Sequence, residues 1–125
     1  MLAALVAALG ACGGSTPAAA TPIVFGTIGG SIAPYRFTIQ PDGNVRSTGS
    51  ARGIRRQISA ARVGQLTNEI RQAHLANRSC AGVLPDVAGL YIRADGRTVT
   101  VHGGCEPQFR RVWDDLSRAV ALPVS

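Results

Sequence analysis

Lysine is missing from this chain. All 13 of its basic residues are arginine, set against 7 acids, for a net charge of +6 and a pI near 10.6. Without lysine there is no P-loop to reach nucleotide phosphates, and Gly29-Gly30 follows a strand-like run but opens no helix. A GC-rich coding bias suffices to favour arginine, so the preference alone assigns no recognition role. Aromatic residues are scarce, at 5%. A core must therefore be built mainly from Val, Ile, Leu and Ala, and the interleaved aromatics that stack nucleic-acid bases are lacking. The arginines are scattered from Arg36 to Arg118, densest at Arg52, Arg55 and Arg56. No nucleic-acid partner is expected from this pattern; attraction to anionic lipid headgroups is the more natural consequence of the charge. Long apolar runs are absent too, since none reaches the about 20 residues of a membrane-spanning helix. The few acids form no pair placed for acid–base chemistry. Asp42 and Asp95 fall in turns, Asp86 and Glu106 near the starts of elements, and Asp114 and Asp115 on a helix flank beside Arg110, Arg111 and Arg118. Neither an enzyme nor a cofactor is expected.

What is present begins with an address. Leu2 to Cys12 is a short apolar run closing on small residues, of a length that suits the h-region of an export signal. Its end, Leu9-Gly10-Ala11-Cys12, resembles the lipobox of bacterial lipoproteins: an aliphatic residue, two small ones, then cysteine. The resemblance implies that Cys12 takes a diacylglyceryl group on sulfur and that the chain is cut before it. Small side chains let an intramembrane peptidase approach the scissile bond, and the acceptor must be a nucleophilic sulfur. Residues 1–11 would then be the signal peptide, with its basic n-region truncated because Met1 runs straight into Leu2. Residues 12–21 would be the lipidated cysteine and a tether rich in Gly, Ser, Pro and Ala, spanning on the order of 15–20 Å as a coil. The expected location is the extracytoplasmic face of the cell membrane, with an envelope or secreted protein as the partner.

Residues 22–125 are one domain by length. Ile23–Ile28 is β-branched and aromatic and ends at Gly29-Gly30, so it predicts a strand. Tyr35–Gln40 alternates, with Tyr35, Phe37 and Ile39 facing inward. Pro41-Asp42-Gly43-Asn44 turns the chain back along Val45–Thr48, and Gly53–Ile58 suggests a further strand. Ser59 suits a helix N-cap, followed by Val63, Leu66, Ile70 and Ala73 on one face. A second hairpin, Val87–Ala94 with Arg97–His102, folds over Asp95-Gly96. Pro107 opens a last helix with the stripe Phe109, Val112, Trp113, Leu116 and Val120. The order ββ(β)αββα predicts an α+β two-layer sandwich, an antiparallel sheet of four or five strands with both helices on one face.

With Cys12 lipidated, Cys80 and Cys105 remain as an even pair in an exported domain, which predicts a disulfide. His102-Gly103-Gly104-Cys105 and Cys80 offer only three ligands for a metal, and oxidation removes two of them. The same oxidation silences a Cys105 nucleophile paired with His102.

The body also resembles two groups of small bacterial domains. One is an uncharacterised domain of secreted lipoproteins, similar over Tyr35 to Val45, Ser59 to Ala73, Cys80 to Asp86 and Val99 to Leu116. The other is the emfourin-type inhibitors of thermolysin-like metalloproteases, similar at Thr27-Ile28-Gly29-Gly30-Ser31-Ile32 and Pro85-Asp86. That likeness implies an interaction loop at Gly29, Gly30, Ser31 and Asp86.

Overall fold

The computed structural model describes residues 21–49 and 54–121. The signal peptide, Cys12 and all of the tether except Thr21 lie outside the described residues. The first three strands are β1 (Ile23–Ile28), β2 (Tyr35–Ile39) and β3 (Val45–Gly49); β4 (Arg78–Ser79), β5 (Gly89–Ala94) and β6 (Arg97–His102) follow helix α1 (Ala60–Gln72), and α2 (Pro107–Val120) comes last. They form one sheet in the order β3-β2-β1-β5-β6-β4. All neighbours are antiparallel except β4, which runs parallel to β6. The fold is the expected α+β arrangement with a short extra edge strand.

Alternation sets the register. Ile23 stands opposite Ile39, and Phe25 opposite both Phe37 and Ile92, so the large apolar side chains of neighbouring strands share one face. That face is covered by the helices. Val63 and Leu66 of α1 are buried against it, as are Phe109, Val112, Trp113, Leu116 and Val120 of α2. Phe25 stacks on Phe37 with ring centroids 5.1 Å apart and meets Trp113 edge-on at 5.8 Å. At the sheet's other rows, Tyr35 Nα donates to Thr27 Oγ1, satisfying the buried threonine at 3.3 Å.

The local signals act where they fall in the sequence. Ser59 Oγ accepts from Arg62 N–H at 3.1 Å and caps α1. Asp95 and Gly96 both adopt positive φ, 52° and 74°, as a two-residue turn matching the twist of its strands requires. The further strand expected over Gly53–Ile58 does not form among its described residues. Only isolated bridges occur there, Asn44 with Gln57 and Ile54 with Ala121. The backbone explains why: Arg55 N–H donates to Val120 C=O, whereas Val45 and Ile58 N–H donate to Arg56 and Gly43 C=O. The segment crosses from the end of α2 to the β2–β3 turn instead of running alongside β3.

Candidate functional site

The sheet has two distinct ends. At one, Asp95 N–H donates to Thr21 Oγ1 at 3.2 Å, so the chain enters β1 beside the Asp95-Gly96 turn. At the other, the β1–β2 loop meets the loop leading into β5. Ser31 N–H and Oγ both donate to the Asp86 carbonyl, at 3.0 and 3.2 Å. Gly30 takes φ 73°, and a Cβ there would lie 2.6 Å from Ala88 N. Only glycine fits that approach. The structure thus brings Gly30, Ser31 and Asp86 together across 55 residues of sequence. It is the backbone of Asp86 that engages, with its side chain exposed.

The second loop is fastened at both ends. Cys80 and Cys105 stand at disulfide distance, Cα to Cα 5.8 Å, and Cys80 N–H donates to His102 C=O at 2.8 Å. Further along, His102 Nε2 donates to Val87 C=O at 2.5 Å. His102 is therefore half-buried and bonded to this loop. Arg78 and Glu106 pair across the same corner at 3.2 Å.

On this framework lie four exposed large aliphatics: Ile28, Ile32, Leu84 and Val87, from 44% to 64% exposed. The residue order marks an interaction loop at Gly29, Gly30, Ser31 and Asp86, but it does not mark Ile28, Ile32, Leu84 and Val87 as the exposed groups beside it. The available signal was an aliphatic residue on each side of Pro85-Asp86, in a stretch with no periodicity to bury them.

Elsewhere the surface carries open depressions: about 540 Å³ lined by Arg55, Arg62 and Arg118 among others, about 440 Å³ beside Arg46 and Arg56, and about 240 Å³ between α1 and the β5–β6 hairpin, lined by Ile70, Leu75, Ile92 and Val99. Among the described residues no three His, Cys, Asp or Glu gather closely enough to hold a metal ion. His74, just past α1, is exposed with φ 48°, ending the helix in the left-handed region. No family model matches the chain, and neither the curated proteins nor the solved structures contain a match to it.

One electrostatic feature sits between the helices. Partial burial, then the hydrogen bond and charge of Asp115, push the Glu69 carboxyl up to about 7 against the pull of Arg62 and Arg111. Asp115 is held below its ordinary value chiefly by Glu69 and by Arg118, which lies 2.5 Å away. Between 4.5 and about 7 the folded chain keeps a proton that the unfolded chain has released, so stability falls as pH rises through that window. The Asp115 effect has the opposite sign and lies lower, being lost as pH falls below 3.8. Solvent screening of the partly exposed Glu69 holds its effect to on the order of 1 kcal/mol. Thermal melts should show the wild type about 4–8 °C less stable at pH 8 than at pH 5, with the difference abolished in Glu69→Gln. An undiminished difference in that variant would place the proton elsewhere.

Proposed function

We propose that the protein is a non-catalytic docking module, held on the extracytoplasmic face of the cell membrane by lipid on Cys12, which meets an envelope or secreted protein with its paired loops. One observation carries the docking surface: three of the four exposed aliphatics stand on two loops bonded to each other and fastened by the Cys80–Cys105 pair, and the fourth, Ile28, ends β1 where the first loop begins. Loops that present apolar groups on a rigid frame bind with little ordering cost. Covering Leu84 alone would recover on the order of 1 kcal/mol. The lipobox-like Leu9-Gly10-Ala11-Cys12 supports the anchor. The topology supports a division of labour, because Thr21 joins β1 at one end and the paired loops lie at the other, about 20 Å away by strand rise.

Palmitate labelling and photo-crosslinking in intact cells test the two halves separately. Label is expected on the wild type and not on Cys12→Ala. Crosslinks to an envelope protein are expected from a photoreactive residue at position 84 and not from one at position 65 on α1. An unlabelled wild type removes the anchor; silence at position 84 removes the docking loops. A second reading, inhibition of a thermolysin-like metalloprotease, is favoured by the exposed Gly29-Gly30-Ser31 segment that Asp86 holds in place. A protease of that class left fully active by micromolar protein would remove it.

A further inference from the structure

We infer that the sheet face opposite the helices docks on the anionic phospholipid headgroups of a bilayer, with Arg36, Arg46 and Arg93 as its phosphate contacts. The alternation that sends Phe25, Phe37 and Ile92 into the core sends their neighbours outward. Register then aligns those neighbours in rows across the strands. One row reads Arg46, Thr38, Val24, Arg93 and Thr98; the next reads Thr48, Arg36, Gly26, Tyr91 and Thr100. None of these residues belongs to the core under the helices; Val24 and Gly26 are buried within the rows, and all three arginines are exposed.

Charge is what this face has in excess. The chain's acids are Asp42, Glu69, Asp86, Asp95, Glu106, Asp114 and Asp115. None belongs to either row: they occupy turns, loops and the helix layer. Ion pairs to acids are made by Arg71, Arg78, Arg110 and Arg118, all away from the face. Arg93 Nε donates only to the neutral Thr98 Oγ1, at 3.0 Å. Among the described residues, three cations thus stand among hydroxyls with no opposing carboxylate. Across strands about 4.8 Å apart, the span from β3 to β5 places Arg46 and Arg93 about 14 Å from each other. They can meet separate headgroups.

A phosphate also has a seat here. A depression of about 230 Å³ opens beside the second row, its lining including Arg36, Thr48 and Tyr91. A guanidinium and two hydroxyls are donors suited to a phosphodiester oxygen. Single-stranded nucleic acid would want successive aromatic platforms, and the rows provide one aromatic, the half-buried Tyr91. Headgroups need none. The choice of a bilayer rests on the reading of Cys12 as lipidated, which confines the domain near headgroups and raises their effective concentration. Docked this way, the sheet lies along the membrane, with the helices turned outward and the paired loops presented sideways to a membrane neighbour.

Flotation of the full-length Cys12→Ala protein on vesicles tests the face without the anchor. Binding is expected to vesicles containing about 30% phosphatidylglycerol, and not to phosphatidylcholine alone, at about 0.1 M salt. R36Q/R46Q/R93Q should weaken that binding by roughly a hundredfold, and each single substitution by about fivefold. R36K/R46K/R93K should retain it. R55Q/R62Q/R111Q, which removes the same charge from the helix side of the molecule, should weaken it by less than about fivefold. Equal losses in the two glutamine triples would overturn the inference. So would equal binding to neutral vesicles, or a single-stranded oligonucleotide bound more tightly than vesicles and lost in the same triple. Palmitate labelling reads the anchor independently. A chain that floats through these arginines but carries no label keeps the face and loses the anchor; a labelled chain indifferent to their removal does the reverse.

Discussion

Replacing Cys80 and Cys105 together by serine is expected to lower the stability by about 3.5 kcal/mol. The pair is separated by 25 residues, and closing a loop of that size removes the corresponding entropy from the unfolded ensemble. The loss is large against the roughly 5–15 kcal/mol of a small domain. It should appear in urea unfolding as a lower midpoint, and the slope changes only if the unfolded chain expands. The effect should also be local. The bond ties the end of β4 to the start of α2, Cys105 N–H donates to Cys80 Sγ at 3.1 Å, and Gly103 packs against Cys80 and Val83. Without it, the loop that carries Leu84 and Val87 keeps its His102 and Ser31 bonds but loses its other fastening. Amide exchange at Ser31, whose N–H donates to Asp86, should therefore rise more than exchange at Phe25 in the central strand. A stability loss under about 1 kcal/mol, or protection at Ser31 unchanged, would show that the bridge holds neither the fold nor the loops.

Much of this frame could be read from residue order because it rests on short-range rules. β1, β6 and α2 have the expected limits because local signals bound them, Gly29-Gly30 ending β1 and Pro107 opening α2. β4 could not be found this way, since two residues, Arg78 and Ser79, carry no period. The Gly53–Ile58 segment has the composition of a strand, but tertiary hydrogen bonds to Val120 and Gly43 decide its path. The candidate sites divide along the same line. Gly29-Gly30-Ser31 and Pro85-Asp86 mark two loops locally, whereas their contact spans 55 residues and depends on β1 lying beside β5. Arg36, Arg46 and Arg93 each fall on the outward phase of a strand, which is legible. That they form one face requires the strand order, in which β1, first in sequence, lies between β2 and β5.

On the covered side of the sheet, Trp113→Ala is expected to cost about 3–5 kcal/mol, the range for deleting a large aromatic from a core. Trp113 is 8% exposed, meets Phe25 edge-on, and lies 6.5 Å from Tyr35 with the Arg110 guanidinium 5.8 Å from its ring centre. Removing it opens a void beneath β1 and β2 and takes from Phe25 and Tyr35 a neighbour that they share. Trp113→Phe should behave differently. The indole Nε1 is buried and meets no acceptor among the described residues, so it carries a desolvation penalty of about 1–3 kcal/mol that phenylalanine does not. That relief offsets part of the lost ring volume, and the net cost should stay below about 1.5 kcal/mol. Urea unfolding of both variants decides the point. Equal costs would mean that the indole nitrogen is satisfied, and a cost below about 2 kcal/mol for the alanine would mean that α2 closes over the gap. Because Trp113 and the arginine rows lie on opposite faces of one sheet, Trp113→Phe should leave vesicle binding unchanged while altering stability. R36Q/R46Q/R93Q should do the opposite. Only a sheet whose two faces are energetically separate gives that crossed result.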